Sequence, residues 1–421
     1  MTRQEDLTVE AALKLVLDGF SVLDAERVPI LEALDRVLSE AVSAQDSLPP
    51  FANSSMDGYA LRASDLAPAS RTQPVVLRVV ADIAAGSVSR VVIESGTAAR
   101  IMTGAPMPTG ADAVVPIEAT SEPWRDAVRM LPEEIEIYEV VKPGAYVRYP
   151  GEDVMAGSEV LPAGHVLRPQ EIGVLASLGV AKVSVVRKPR VGVLATGDEL
   201  IAVEEELRAG MIRNSNSYAQ TAQIIRLGAE PVSLGIARDD ESDVRARLLA
   251  GLDAGVDLFI SSAGVSVGAY DVVKAVLEAE GNVGFWRVRM RPGKPLAYGR
   301  YKGVAYLGLP GNPVSAMVSF ERFARPAILK MAGHRNLERP CIEVEMQEEV
   351  HSDGRETYMR SVVSPAPDVG YVASSTGSQG SHIMTSLVQA NALVIIPEGV
   401  KTVKVGQKLK ALMIDWPGNV F

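Results

Sequence analysis

The sequence predicts a multidomain α/β plus β protein, in which a three-layer α/β domain with a parallel-type sheet is flanked by small β domains. Three apolar runs each break into a glycine-rich loop with polar groups, and helix-like segments separate them; the runs are Arg190–Leu200, Val256–Gly268 and Val304–Ser315. This alternation is typical of a parallel sheet. A chain of 421 residues is also too long for one hydrophobic core. Because ligands of parallel sheets bind beyond the carboxyl ends of the strands, we expect the three loops to meet at one pocket.

The N-terminal part of the chain predicts two helices followed by a small β domain over residues 49–140. Apolar residues recur at helical spacing from Thr8 to Phe20, with Thr8 as the cap, and a second helix is expected over Pro29–Val42. Short β-branched runs between Gly and Pro turns then predict strands at Val75–Val80, Val91–Glu94, Ala113–Ile117 and Ala127–Met130.

The rest of the chain predicts an α/β domain over residues 187–332 and a C-terminal β domain over residues 333–421. A short helix is expected from Pro169 to Leu178, because Pro suits a first helical turn and Gly179 follows the end. A long helix should begin at Pro313 and end near Gly333. Alternating apolar and polar residues after Cys341 predict strands.

Composition and charge exclude several classes of protein. The net charge of −10 argues against a nucleic-acid-binding surface, which normally needs a basic face. Cys341 is the single cysteine, so an internal disulfide is impossible, and one Cys with four His excludes a zinc finger or an iron–sulfur site. The start lacks the features of a signal peptide, and no apolar run approaches the ~20 residues of a membrane helix. A reducing cytoplasm is the simplest compartment.

The loops of the predicted sheet carry groups that suit an anion. In Leu309–Ser315, Asn312 can cap a helix whose first residue is Pro313, and a helix N-terminus favours negative charge. The other two loops, Thr196–Glu199 and Ser261–Gly268, have glycines for close backbone approach and serine hydroxyls as donors. An ordinary strand-to-helix turn explains each loop taken alone. Together they favour a phosphate-bearing ligand with a divalent metal.

Three carboxylates follow strands or precede helices in this region: Glu199, Asp239 and Asp271. Mg²⁺ usually takes one or two carboxylates together with phosphate oxygens, so these are candidate metal ligands. The alternative for each is helix capping.

An alternating segment, Phe285–Pro295, would place Arg287, Arg289 and Arg291 on one face of an extended strand. Three like charges on one face are unfavourable unless anions neutralise them. The alternative is a solvated edge strand whose charges prevent aggregation.

Two polar, glycine-punctuated loops lie in the small β domain, at Asn53–Ala60 and Ile101–Asp112. The residues by themselves give Asp57 and Thr103 no role beyond turn chemistry.

Taken together, these segments resemble the molybdopterin molybdenumtransferase family, whose relatives include the C-terminal domain of gephyrin. Eight stretches match in family order and span nearly the whole chain: Ser55–Ala60, Arg100–Asp112, Gly144–Asp153, Thr196–Leu200, Ser261–Asp271, Arg291–Pro295, Leu309–Ser315 and Gly380–Met384.

The resemblance implies an enzyme that binds adenylylated molybdopterin and molybdate, cleaves the adenylate with magnesium, releases AMP and transfers molybdenum to the dithiolene sulfurs. It implies an elongated homodimer of four-domain subunits, with an elongated, discontinuous N-terminal domain over residues 1–48 and 141–186. The site would lie between the α/β domain of one subunit and β domains of the other. Other molybdenum cofactor biosynthesis proteins are further expected partners.

The resemblance also implies site residues by their positions in the matching stretches. Those with catalytic roles would be Asp57, Thr103, Glu199, Asp239, Asp271, Arg287 and Arg291. Two family lysines align with Arg287 and Arg291, which keep the charge but present a planar fork. Glu199 and Asp271 would hold the metal. The matching stretches and their loops add substrate-binding residues: Arg148, Gly197, Ser262, Gly264, Ser266, Lys294, Pro310, Gly311, Pro313, Ser315 and Ser381.

Two other functions remain open at this point. A relative that handles tungstate, or that mainly carries molybdopterin, would keep the same motifs. A non-catalytic scaffold, as gephyrin partly is, is opposed by the candidate metal carboxylates and by the lack of a fused partner domain.

Overall fold

The structure is a computed structural model that describes residues 6–67, 69–122, 130–262 and 272–416, without the side chain of Phe285. The chain forms two compact units. The larger unit comprises Met1–Val28, Asp35–Ser39 and Ser184–Phe421, and the smaller unit comprises Pro29–Leu34 and Glu40–Val183. The four domain boundaries predicted above divide the chain more finely and remain predictions.

Eight α-helices occur in the described residues. In chain order they are α1 (Val9–Asp18), α2 (Pro169–Ser177), α3 (Ser215–Arg226), α4 (Glu241–Asp253), α5 (Val272–Glu280), α6 (Pro313–Ser319), α7 (Arg325–Met331) and α8 (Thr385–Gln389). A π-helical segment, Phe320–Ala324, joins α6 to α7. Short 3₁₀ turns occur at Ile30–Ala33, Ala63–Leu66 and Ile117–Ala119. No helix in the described part of the chain is long and apolar enough to cross a membrane.

A mixed sheet of seven strands forms the centre of the larger unit. In order across the sheet, the strands are Asp6–Leu7, Gly281–Val288, Pro295–Tyr301, Val304–Leu309, Leu258–Ser262, Arg190–Thr196 and Glu230–Ala237. The last four are mutually parallel, which confirms the predicted parallel arrangement for the centre of the sheet. The parallel-type prediction is incomplete at the other edge. There, Pro295–Tyr301 runs antiparallel to both of its neighbours, because tight connections such as Lys302–Gly303 can only reverse the chain.

Helices cover both faces of this sheet because alternate strand residues point to opposite sides. Leu258 and Ile260 belong to an apolar cluster shared with α1, α3, α6 and α7, whereas Phe259 packs in a second cluster with α4 and α5. In the neighbouring strand, Val193 belongs to the first cluster and Leu194 to the second. The three-layer arrangement therefore follows from strands that are apolar on both faces.

The C-terminal part of the larger unit contains a closed five-stranded barrel. Around the barrel, the strands are Glu356–Ala366, Gly370–Ser375, Cys341–Met346, Lys408–Met413 and Ala392–Ile396, with the last pairing back to the first. A short strand, Met290–Arg291, pairs in parallel with Glu356–Thr357 at the barrel. The segment that contains the arginines therefore leaves the central sheet and joins the barrel.

The smaller unit is built on a five-stranded sheet. In order, its strands are Ala113–Pro116, Gly58–Leu61, Thr97–Ile101, Val75–Ile83 and Glu134–Ile137. The predicted strand over Val91–Glu94 is wrong, since only Val92 forms an isolated bridge, to Thr109. Most of the predicted strand Ala127–Met130 lies outside the described residues. The remaining short strands of the chain are Ala25–Pro29, Val42–Ser43, Asn53–Ser54, Val147–Arg148, Glu159–Leu161, Lys182–Val186, Leu200–Ile201, Ile212–Arg213, Val350–His351 and Thr402–Val403.

The predicted helix over Pro29–Val42 is wrong. A single 3₁₀ turn ends at Ala33, Leu34 is extended, and Asp35 has a φ of 61°. Leu38 then forms a bridge with Val185 and is buried. Helical spacing of the apolar residues is therefore overridden by tertiary pairing.

The other predicted helices are confirmed at their ends. The hydroxyl oxygen of Thr8 accepts a hydrogen bond from the Ala11 amide at 3.1 Å, so Thr8 caps α1. Helix α2 begins at Pro169, and Gly179 follows it with a φ of 71°. The helical run from Pro313 ends at Met331, and Gly333 also has a positive φ.

Glu171 stabilises the start of α2, and its replacement should destabilise the protein. Its buried carboxylate accepts hydrogen bonds from the Arg168 backbone at 2.9 Å and the Arg168 side chain at 2.5 Å, and lies 3.2 Å from His165 Nε2. The Arg168 hydrogen bond lowers the pKa of Glu171 to about 2. We expect Glu171→Gln to reduce the free energy of unfolding by about 1–3 kcal/mol at neutral pH, the scale of hydrogen bonds to a charged group.

The pH dependence follows from the sign of this shift. Because the folded-state pKa is below the unfolded value, the stabilisation is complete above about pH 4.5 and is lost as the pH falls toward 2. Urea unfolding of both proteins should therefore show a difference that shrinks on acidification. Glu159→Gln, at an exposed position in the same unit, serves as the control. A difference that does not change with pH would contradict the assignment.

Candidate functional site

A cleft of about 980 Å³ lies in the larger unit at the carboxyl ends of the parallel strands. Its volume lies at the upper end of the range of typical ligand pockets. The residues that line it include ten of the predicted site residues: Glu199, Ser262, Arg287, Arg291, Lys294, Pro310, Gly311, Pro313, Ser315 and Ser381.

The strand register explains why distant loops meet here. Ser262 pairs with Ala195 on one side and with Leu309 on the other. The three strands therefore end at the same edge, and Thr196, Ser262 and Pro310 all line the cleft. The predicted convergence is confirmed at these three strand ends. Gly264, Ser266 and Asp271 lie outside the described residues.

Gly197 makes room for the Glu199 carboxylate. Its φ is 140°, and a Cβ at this position would lie 2.2 Å from Glu199 Oε2. The Gly197 amide donates to the Ala237 carbonyl at 3.2 Å, and the Glu199 carbonyl accepts from the Ile212 amide at 2.8 Å. The backbone around Glu199 is thus held on both sides while the carboxylate stays exposed at the cleft. Gly197 itself does not line the cleft.

The loop before α6 connects the sheet to the C-terminal barrel. Asn312 occupies the N-cap position of α6, as predicted, but its side chain makes no capping hydrogen bond. The Val314 amide donates instead to the Ser381 carbonyl at 3.1 Å. Asn216 Nδ2 donates to the Gly311 carbonyl at 2.7 Å, which holds the same loop from α3.

A buried arginine supports the barrel loop that reaches the cleft. Arg360 Nη2 donates to the Gly380 carbonyl at 3.1 Å, and its Nε donates to Ser386 Oγ at 3.0 Å. Burial, with a further contribution from the charge of Arg291, lowers the pKa of Arg360 to about 10. The guanidinium therefore remains charged at neutral pH, and its hydrogen bonds order the loop that presents Ser381.

Cationic side chains dominate one wall of the cleft. Within the part of the chain that the structure describes, Arg287 and Lys294 have no carboxylate partner. Arg291 Nη1 lies 3.7 Å from Asp353 Oδ2, and Arg355 Nη2 lies 2.5 Å from the same oxygen. The hydrogen bond from Arg355 lowers the pKa of Asp353, so one carboxylate serves two arginines. The cleft therefore carries a surplus of positive charge that suits an anion.

The predicted common face of three arginines is wrong for Arg289. Its Nε lies 2.5 Å from Glu398 Oε1, and its Nη1 donates to the Asp6 carbonyl at 3.2 Å. It does not line the cleft. The physical reason is the break in the strand, since Val288 still belongs to the central sheet whereas Met290 pairs with the barrel.

Asp239 does not line the cleft. Its amide donates to Asp198 Oδ1 at 3.2 Å, and its side chain is exposed. The helix cap is the next residue, because the Asp240 carboxylate accepts from the Asp243 amide at 3.2 Å. The alternative of helix capping therefore applies to Asp240, and a ligand role of Asp239 stays a prediction.

Asp57, Thr103 and Arg148 belong to the smaller unit. Asp57 Oδ1 accepts hydrogen bonds from the Thr103 amide at 2.6 Å and from the Thr103 hydroxyl at 2.7 Å. Arg148 pairs with Asn53, four residues before Asp57. The fold thus brings these three predicted residues onto adjoining loops of the same unit.

Several residues that line the cleft were not predicted: Arg213, Asn214, Ser215, Asn216, Trp286, Arg355, Gln379 and His382. His382 lies within the matching stretch Gly380–Met384, which contained its signal, and Gln379 directly precedes that stretch. Asn214 caps α3, and an Asn before a helix is a signal that the sequence offered. No local sequence pattern predicts Arg355 as a cleft residue, because only the packing of the barrel brings it to the cleft.

The described residues supply only part of a ligand set for a hard cation such as magnesium. No group of three Asp, Glu, His or Cys side chains in those residues is close enough to hold a metal ion. Glu199 supplies one carboxylate at the cleft, and magnesium commonly binds one or two carboxylates with ligand phosphates and water. The residues present therefore fit magnesium as a metal shared with a bound phosphate.

Three family models match successive parts of the chain. They are the MoeA N-terminal region (domain I and II) at residues 7–179, a probable molybdopterin binding domain at residues 192–330 and the MoeA C-terminal region (domain IV) at residues 343–414. A molybdopterin molybdenumtransferase from Nostoc sp. is 37% identical over 97% of this chain and 93% of its own length.

The chain belongs to the molybdopterin molybdenumtransferase family. It is therefore a transferase of molybdenum cofactor biosynthesis. Molybdopterin molybdenumtransferase 2 from Mycobacterium tuberculosis is 39% identical over 91% of this chain and 93% of its own length. The solved molybdopterin biosynthesis moeA protein from Pyrococcus horikoshii OT3 is 30% identical, covers 97% of this chain and 100% of its own, and superposes with a TM-score of 0.80.

Proposed function

We propose that this chain inserts molybdate into adenylylated molybdopterin and cleaves the adenylate in a magnesium-dependent step that releases AMP. The observation that carries this proposal is the cleft at the strand ends, where one exposed carboxylate faces a wall with a surplus of positive charge. Molybdate and a pyrophosphate-linked nucleotide are both anions, and family membership supports a pterin as the molecule that bears the phosphate.

The cationic wall would bind and orient the two anionic substrates. Arg287, Arg291 and Lys294 line the cleft together with Arg355, so charge-assisted hydrogen bonds can reach molybdate and phosphate oxygens from several directions. Arginine forks suit tetrahedral oxyanions because they can donate two hydrogen bonds at once. Arg360 keeps the Gly380 backbone, and with it the loop of Ser381, in a defined position.

Glu199 and Asp271 are the residues that would hold magnesium. When bound, magnesium would neutralise the negative charge that develops as the phosphoanhydride is cleaved. The contribution of Glu199 is a fixed carboxylate, positioned because Gly197 leaves space for it. Phosphoryl cleavage depends chiefly on positioning and charge stabilisation, so a covalent nucleophile is not required.

We further propose that the working unit is a cytoplasmic homodimer. The family resemblance supports a site that Asp57, Thr103 and Arg148 of the partner subunit complete. The hydrogen bonds between Asp57 and Thr103 would then present one ordered surface to the substrate rather than two separate side chains. A contact with other molybdenum cofactor biosynthesis proteins is part of the same proposal.

A tungstate-handling relative is the alternative, because tungstate has the same charge and shape as molybdate. The decisive experiment incubates the purified chain with adenylylated molybdopterin, magnesium and either molybdate or tungstate, and measures AMP and metal-loaded cofactor. We expect AMP release that requires both magnesium and molybdate. Pterin binding without AMP release would support a carrier or scaffold instead.

Arg291→Ala should weaken molybdate binding by more than about 1 kcal/mol, the scale of a lost charge-assisted hydrogen bond. The loss should shrink at high ionic strength, because salt screens the intact site. Calorimetric titrations at two salt concentrations would measure it. Arg289→Ala is a matched control on the same segment, because Arg289 pairs with Glu398 and does not line the cleft. Equal effects of both substitutions would indicate a non-specific charge effect.

A further inference from the structure

A second cavity of about 400 Å³ lies in the larger unit, among α1, the helical run that follows α6, the connector to the barrel and the barrel itself. It shares no lining residue with the cleft described above. Its volume is within the range of cavities that bind small molecules.

Two arginines at this cavity share one carboxylate, and a third arginine lines the same cavity. Arg339 donates to Glu321 through Nε at 2.8 Å and Nη2 at 3.1 Å, and Arg325 Nε lies 3.8 Å from the same carboxylate. The guanidinium of Arg322 stacks 5.3 Å from the ring centre of Tyr358. The side chains of Glu321, Arg325 and Arg339 are all at least four-fifths buried.

This cluster has an unbalanced charge. Among the side chains that the structure describes here, Arg322, Arg325 and Arg339 face Glu321, which leaves a surplus of two positive charges. Burial lowers the pKa of Arg325. The positive charges of Arg339 and Arg322 lower it further, whereas the negative charge of Glu321 raises it. Arginine nevertheless stays protonated in proteins. A bound anion would relieve the repulsion, because like charges held in a partly buried site are otherwise unfavourable.

The opposite wall of the cavity is apolar. Leu13 and Leu17 contribute from α1, and Leu393, Leu412 and Ile414 contribute from the barrel. A fully hydrated inorganic anion would leave this wall without contact. A ligand with an acidic group and a short apolar body would satisfy both walls, since burial of apolar surface stabilises binding.

We propose that this cavity binds a small organic carboxylate, with its acid group on the arginine cluster and its apolar body against the leucines. The site lies apart from the cleft assigned to molybdenum insertion and does not depend on that assignment. Binding there would join α1 and the barrel through a common ligand, so it would stabilise the folded chain by mass action.

Calorimetric titration of the full chain with hexanoate, acetate and inorganic phosphate tests the proposal. We expect hexanoate to bind, and acetate and phosphate to bind at least roughly tenfold more weakly, because neither covers the apolar wall. Failure of hexanoate to bind, or equal binding of phosphate, would overturn the proposal.

Two variants locate the binding site. Arg325→Gln removes a cation from the cluster, and Leu17→Glu adds a carboxylate at the apolar wall while every arginine is kept. Each should weaken hexanoate binding by at least roughly tenfold. If the Arg325→Gln chain does not fold, Leu17→Glu decides alone. Unchanged hexanoate affinity in Leu17→Glu would contradict the site.

Two control variants test whether hexanoate binds at this cavity rather than at cationic residues elsewhere in the chain. Arg78→Gln, at an exposed strand position of the smaller unit, should leave hexanoate binding unchanged. Arg291→Ala should also leave it unchanged, since Arg291 lies in the cleft and not in this cavity. Loss of hexanoate binding in Arg291→Ala would assign the ligand to the cleft and overturn the proposal.

Discussion

Glu199→Gln should reduce magnesium-dependent AMP release by roughly 100-fold or more, while the melting temperature changes by no more than a few degrees. The carboxylate is exposed at the cleft, and its backbone is held by hydrogen bonds that the substitution leaves in place. The amide keeps the shape of the side chain but loses the negative charge that magnesium requires. Single-turnover measurement of AMP over a range of magnesium concentrations would test this.

Glu206→Gln is the matched control, because Glu206 is exposed on the segment that follows Glu199 and does not line the cleft. It should keep wild-type activity. Asp271→Asn should behave like Glu199→Gln, since the family resemblance gives both residues to the metal. Full activity in Glu199→Gln would remove this carboxylate from the mechanism.

A mixture of Asp57→Ala chains with Glu199→Gln chains should recover activity that neither has alone. If Asp57 of the partner subunit completes the cleft, each mixed dimer contains one doubly defective site and one intact site. Random pairing would make half of the dimers mixed, so recovery should approach about a quarter of the wild-type activity. The assay is AMP release after the two chains have been allowed to exchange subunits.

Subunit exchange must be demonstrated independently, for example with differently tagged chains that are purified together. A mixture of Glu199→Gln with Glu199→Gln chains, tagged in the same way, is the control and should stay inactive. Absence of recovery in mixed dimers that are shown to form would indicate a site within one chain, because every site would then carry a defect.

Local patterns were sufficient wherever neighbouring residues decide the structure. Helix α1 begins at its predicted cap, since the Thr8 hydroxyl satisfies an amide three residues away. The strands ending at Thr196, Ser262 and Leu309 are apolar on both faces, which predicts burial between two layers of helices. Because the carboxyl ends of parallel strands lie at the same edge of a sheet, the sequence already indicates that their loops meet there.

Long-range pairing decided the features that were predicted wrongly. Residues 34–39 have helical spacing but leave the helical conformation, because Leu38 gains a buried position next to Val185. Arg289 alternates with Arg287 and Arg291 in sequence, yet it pairs with Glu398 at the point where the chain passes from the sheet to the barrel. Alternation predicts a shared face only while one strand continues in one sheet.

The sequence by itself determined the family, the α/β sheet and the stretches that supply Glu199, Lys294, Pro310 and Ser381 to the site, because these depend on local residue order. Only the tertiary structure decided which cations face the cleft and which are neutralised elsewhere. Arg355 enters the cleft and Arg289 does not, since each position follows from contacts between residues far apart in the chain. The arginine cluster around Glu321 combines both causes: Arg322 and Arg325 follow Glu321 on one helical run, whereas folding brings Arg339 and the apolar wall to the same cavity.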